Sequence, residues 1–182
     1  MDLLYKAWSE SMDSFYEEQF FEPIVQRYVQ YRWAGADNRE SRGRVFANGY
    51  EIFIYAFFIG LYKNERRPLQ GKKRNFRMEI FRWGRLKDGG RKQYDDIQDY
   101  IFAALIAKSD IDLISLDRGR ISVKDAVSIL MTTLNEYANT GFYEIAARIE
   151  KVEDFFLIEN NFFEFFKEFC PEMRTSSQVF SR

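Results

Sequence analysis

The 182 residues carry 27 Lys or Arg against 28 Asp or Glu, with a hydrophobic fraction of 46% and an aromatic fraction of 18%. That is the composition of a folded domain whose core is rich in large rings, and it excludes a disordered chain. The absence of His and the single Cys, Cys170, exclude His-assisted serine catalysis, the usual zinc sites and an intrachain disulfide, and a lone thiol fits a reduced, cytoplasmic setting.

The length predicts one helical domain over residues 1–170, followed by a polar tail over 171–182. Its first residues have no basic stretch and no cleavage-site pattern, so they do not read as a signal peptide. Residues 3–33 follow helical spacing. Leu4, Ala7, Trp8, Met12, Phe15, Tyr16 and Gln19 make the first stripe, and Phe20, Ile24, Tyr28 and Tyr31 continue it. Pro23 either opens a second helix, where proline fits the first turn, or kinks one long helix. Residues 34–43 are a loop by composition.

The run Val45 to Tyr62 is the most apolar of the chain. Its uninterrupted part, Ile52 to Leu61, is too short to span a bilayer, so it is expected as the central helix of a bundle rather than as a membrane segment. Glu51 is its only charged residue. A buried carboxylate needs a partner, and Arg44, Arg82 and Arg85 are the candidates.

Residues 63–92 change character, with twelve Lys or Arg against three acids. The segments on either side are both acidic, so the near-neutral total conceals a bipolar distribution along the chain. Arg66 to Arg74 reads as an exposed loop punctuated by Pro68 and Gly71. Phe76, Ile80 and Trp83 share one helical face, with a short hairpin over residues 75–87 as the alternative. Asp88-Gly89-Gly90 forms a turn.

Asp95 to Lys108 is a helix with Tyr94, Ile97, Ile101, Ala104 and Leu105 as its stripe. Ile111 to Leu116 is a strand or a helical turn. Ser122 is an N-cap with Asp125 completing the box, and this helix is expected to end at Asn139-Thr140-Gly141. A further helix opens near Phe142. The last, about 151 to 169, holds Phe155, Phe156, Phe162, Phe163, Phe165, Phe166 and Phe169, and Pro171 terminates it. The expected fold is therefore all-α, an irregular bundle of five to seven helices around an apolar central helix.

The basic block carries the functional expectation. Arg66, Arg67, Lys72, Lys73, Arg74, Arg77, Arg82 and Arg85 are the expected nucleic-acid-binding residues, neutralising phosphates of DNA or RNA without reading sequence. Phe76, Phe81 and Trp83 lie among these cations and would stack on bases if exposed. The competing reading is internal charge balance. No zinc finger, leucine zipper, glycine-rich phosphate loop or RNA-recognition signature is present.

A second function class is an assembly or scaffold subunit, pairing with itself or with a partner protein through the aromatic-rich last helix. A third is a metal-dependent hydrolase built on carboxylates such as Asp95 and Asp99, or Asp110 and Asp112. No residue is assigned a catalytic role. No cofactor, no metal and no membrane association are expected. Cys170, at a helix end with no cation pattern beside it, reads as an inert thiol.

Overall fold

The computed structural model describes residues 1–29, 45–85, 94, 96–158 and 160–170. Within them the chain is mostly helical, with a single two-stranded antiparallel sheet, so the all-α multi-helix expectation holds. No helix among the described residues is long and apolar enough to cross a membrane. The expected loop at 34–43, the turn at Asp88-Gly89-Gly90, the stop at Pro171 and the polar tail over 171–182 lie outside the described residues, as does Arg44.

Two compact units form. Unit 1 comprises Met1–Glu17 and Pro68–Glu136, and unit 2 comprises Glu18–Arg67 and Tyr137–Arg182.

Unit 1 begins with helix α1, Asp2–Ser9, which buries Leu4 and Trp8. The helix predicted over 3–33 stops there. Strand β1, Phe15–Glu17, follows, paired antiparallel with β2, Lys73–Asn75, in the register Phe15↔Asn75, Tyr16↔Arg74 and Glu17↔Lys73. The cause of the break is a distant side chain. Asn135 accepts the N–H of Phe15 at 2.9 Å and donates to the carbonyl of Asp13 at 2.9 Å, so it holds the extended backbone on both sides of Ser14. Those groups need no helix to be satisfied. Of the segment expected as a helix or a hairpin over 75–87, the part up to Arg85 is described: β2 pairs near the amino terminus, and the only helical piece is the 3-10 turn Ile80–Arg82.

Helix α2, Gly49–Lys63, belongs to unit 2. Unit 1 resumes with α3, Ile97–Lys108, and the short α4, Leu113–Asp117. On α3, Ile101, Phe102 and Leu105 are buried, and the Trp8 and Phe102 rings lie 5.2 Å apart. Gln98, almost fully buried, donates to the carbonyls of Phe81 at 2.9 Å and Trp83 at 2.8 Å. One side-chain amide thereby pairs two backbone acceptors that the irregular segment leaves without a ladder.

In unit 2 a π-helix, Phe21–Gln26, carries Pro23. Apolar α2 buries Tyr50, Ile52, Phe53, Ile54, Ala56, Phe57, Ile59 and Gly60 on one broad arc, and its remaining side carries Glu51, Tyr55 and Phe58, half-buried, and the exposed Tyr62. Its amino end is closed by a capping box between Asn48 and Glu51. Tyr55 donates its hydroxyl to the Phe162 carbonyl at 2.6 Å, and burial pushes that phenol well above its usual range.

Helix α5, Val123–Lys151, runs 29 residues through the boundary between the units. The Ser122–Asp125 box forms at its start as expected, with Asp125 N–H donating to Ser122 Oγ at 3.1 Å and Ser122 Oγ donating to Asp125 at 2.7 Å. The stop expected at Asn139-Thr140-Gly141 does not occur. These residues are buried, and their small or polar side chains serve packing instead. Asn139 donates to the Arg67 carbonyl at 3.2 Å and Thr140 to the Glu65 carbonyl at 2.9 Å. A Cβ on Gly141 would run into the backbone carbonyl of Ala56, and one on Gly60 into that of Tyr137. The glycines let α2 and α5 cross with backbones in contact.

The last helix is shorter than predicted. A 3-10 turn, Phe155–Leu157, precedes α6, Asn161–Phe169, and the two are separated by Asn160 in the left-handed region at φ 68. Asn161 donates to the Phe155 carbonyl at 2.7 Å, which fastens the corner. The corner folds Phe156 onto Phe162, with rings stacked 4.2 Å apart.

Candidate nucleic-acid interface

The eight basic residues singled out from the sequence are divided between the units: Arg66 and Arg67 end the first stretch of unit 2, whereas Lys72, Lys73, Arg74, Arg77, Arg82 and Arg85 belong to unit 1. The charge asymmetry along the chain is also absorbed by the fold. The stretches that make up unit 1 hold fourteen basic and fourteen acidic residues, and those of unit 2 hold thirteen and fourteen. Each unit combines part of the basic block with acidic stretches from elsewhere in the chain.

Arg67 is occupied. Its guanidinium lies 4.0 Å from the Tyr143 ring centroid and 3.7 Å from Glu65. Glu65 also bonds Lys63 at 2.9 Å, and Lys63 reaches Glu144. The Lys63 hydrogen bond holds the Glu65 carboxyl below its ordinary value of 4.5, and the carboxylates in turn raise Lys63. At this end of the block Lys63 and Arg67 therefore stand opposite carboxylates.

In unit 1, Arg82 is exposed but paired with Glu79 at 3.0 Å. Arg74 is half-buried and Arg85 exposed, and these two, like Arg66 in unit 2, take part in further interactions. Lys72, Lys73 and Arg77 differ. All three are exposed, and among the described residues they make no ion pair. They sit within six residues of one another, just before, on and just after β2, and Arg77 has a left-handed backbone at φ 50 that turns the chain beyond the strand.

The aromatic residues interleaved with the cations face inward. Trp83 is fully buried, Phe76 stacks on Tyr16 at 4.9 Å, and Phe81 is half-buried with the Arg82 guanidinium 5.5 Å from its ring. No known protein family, curated protein or solved structure matches this chain.

The other candidate residues have structural employment. Glu51 Oε2 accepts from the Ala47 N–H at 2.7 Å, so this carboxylate serves the amino end of α2. Asp99 accepts the Tyr5 hydroxyl at 2.7 Å, and Tyr5 is pushed up to about 12, by burial first and by that bond second. Asp112 caps α4 by accepting the Ser115 N–H at 2.9 Å, which lowers its pKa. Asp95 lies outside the described residues. Among the described residues no three His, Cys, Asp or Glu side chains come together as metal ligands. Cys170 is a buried free thiol.

The assembly reading needs rings near the end of the chain that the domain leaves uncovered. Of the seven phenylalanines over 155–169 only Phe163 is exposed. Phe162 packs edge-on against Tyr28, Phe46 and Tyr55 within unit 2, and Phe166 lies against Tyr55 and Tyr62. Arg148 fits between Phe155 and Phe165, 4.7 Å from each ring, and pairs with Glu168.

Sequence reasoning did not separate Lys72, Lys73 and Arg77 from their basic neighbours, although the carboxylates that occupy Arg67 and Arg82, Glu65 and Glu79, stand close by in the sequence. It also passed over Asn135 and Gln98, amides that lie beside buried apolar residues of their helices.

Proposed function

We propose that unit 1 binds DNA or RNA weakly and with little sequence preference through the cations around β2, with Lys72, Lys73 and Arg77 as the principal contacts and Arg74, Arg82 and Arg85 around them. One observation carries this reading: three neighbouring cations are exposed and make no ion pair among the described residues. An unpaired exposed cation gains from a phosphate without first giving up a carboxylate, and each phosphate it neutralises releases counterions. Exposed cations without a paired amide or carboxylate suit a phosphate backbone rather than a base edge. Arg66 and Arg67 belong to unit 2 and are not among the proposed contacts, and Arg67 is already paired and stacked.

The test is a fluorescence-anisotropy titration of the whole chain with labelled duplex DNA and duplex RNA at several salt concentrations. Affinity should fall steeply with salt, and Lys72→Ala, Lys73→Ala and Arg77→Ala together should lower the log–log salt slope by about 3. No binding at about 50 mM salt sinks the proposal, as does binding that the triple variant leaves unchanged.

A further inference from the structure

The same face has a ligand class broader than nucleic acid. An aromatic platform for bases needs ring faces open to the ligand, because each stacked base contributes through a π-face. None of the three rings spaced among the cations is exposed: Trp83 is fully buried, Phe76 is half-buried with one face stacked on Tyr16 at an interplanar angle of 16°, and Phe81 is half-buried with the Arg82 guanidinium 5.5 Å from its centroid. The amide on β2 that would be the natural base reader, Asn75, turns its Nδ2 to the Met12 carbonyl at 3.4 Å. What remains presented around β2 is the charge of Lys72, Lys73 and Arg77, two compact ammonium groups and one guanidinium on exposed side chains. Ammonium groups recognise a phosphate as a point charge and carry no geometric code for a base.

We infer that the β2 face recognises a chain of phosphates and nothing of the bases, so that inorganic polyphosphate and an abasic strand are ligands on equal terms with an oligonucleotide of matched charge. This rests on the proposed polyanion-binding function of the same residues. It goes beyond that function in naming linear phosphate, not nucleic acid, as the recognised class.

The experiment uses the full chain at low salt and four competitors of equal phosphate number: inorganic polyphosphate, an abasic deoxyribose-phosphate strand, oligothymidylate and a mixed-sequence single strand. Each displaces a labelled single strand. The expected result is that all four compete within about threefold of one another, differences in spacing and charge density accounting for the spread. The Lys72→Ala, Lys73→Ala, Arg77→Ala variant weakens all four by a common factor. A control with the same charge change elsewhere, Arg118→Ala, Arg120→Ala and Lys124→Ala, leaves them nearly unchanged. Those three are also exposed, so neither variant removes buried packing, and a thermal melt of each verifies that it is folded.

Abasic strand and polyphosphate that compete about tenfold or more worse than oligothymidylate overturn the inference while leaving the polyanion site standing, because bases then supply affinity. No competition by any of the four at low salt overturns both, as does equal weakening by the control variant.

Discussion

Unit 2 is held by rings and by one backbone-close helix crossing, whereas unit 1 leans on side-chain amides that stand in for missing backbone partners. In unit 2, α2 meets α5 at Gly60 and Gly141, and Phe156, Phe162 and Phe165 interlock beneath α6. In unit 1, Asn135 holds the backbone around β1, and Gln98 holds the carbonyls of Phe81 and Trp83. The difference concerns what each unit tolerates. A close crossing is sensitive to volume, and an amide clamp is sensitive to the loss of a hydrogen-bonding group even when the replacement fits.

The largest expected effect tests the crossing. On helix propensity alone, Gly141→Ala in the middle of α5 should stabilise the chain by about 1 kcal/mol. The Ala56 carbonyl stands where the new methyl would go, so the helices must part. The expected outcome is destabilisation by about 3 kcal/mol, opposite in sign to the propensity effect. Urea unfolding of the variant checks this, and a stability equal to or above that of the parent would show that the two backbones are not in contact.

A somewhat smaller effect tests the clamp. Asn135→Ala leaves the Phe15 N–H and the Asp13 carbonyl without their partner. Stability should drop by about 2 kcal/mol. Amide hydrogen exchange at Phe15 should accelerate as well, and unchanged protection there would remove Asn135 from the explanation of why the first helix stops early.

The smallest effect concerns the ion network after α2. The Glu65 carboxyl is depressed in the folded chain, chiefly by the Lys63 hydrogen bond. Its contribution is therefore present above the ordinary value of 4.5 and lost as pH falls through the lower folded value. Lys63 is raised, so its part is present below its ordinary 10.5 and lost as pH rises through the folded value. Both side chains are more than a third exposed at this pair, with relative exposures of 35% and 41%, and solvent screening leaves well under about 1 kcal/mol. Stability measured against pH for Lys63→Met should show a flatter acid limb below 4.5 than the parent shows. An identical acid limb would mean the network contributes nothing.

Periodicity and capping alone determined the class of fold, the apolar helix α2, helix α3 and the Ser122–Asp125 start of α5. These are local properties: a stripe at helical spacing and a hydroxyl three residues ahead of a carboxylate mean the same thing in most contexts. The sequence also marked where the cations are.

What it could not carry was long-range. Residues 11–17 kept a helical stripe yet became extended, because Asn135 and β2 satisfied their backbone from far along the chain. Asn139-Thr140-Gly141 had the composition of a helix stop yet lay inside α5, because a neighbouring helix and the segment after it used those small and polar side chains. The basic block had one sign in sequence, but the fold left Arg66 and Arg67 in unit 2, bound Arg82 to Glu79, and exposed Lys72, Lys73 and Arg77. Residue type and spacing settle how a segment can pair with itself. Which backbone group or ring stands opposite it depends on chain crossings that no local pattern encodes, and for this protein those crossings decide both the end of the first helix and the passage of α5 through Asn139-Thr140-Gly141.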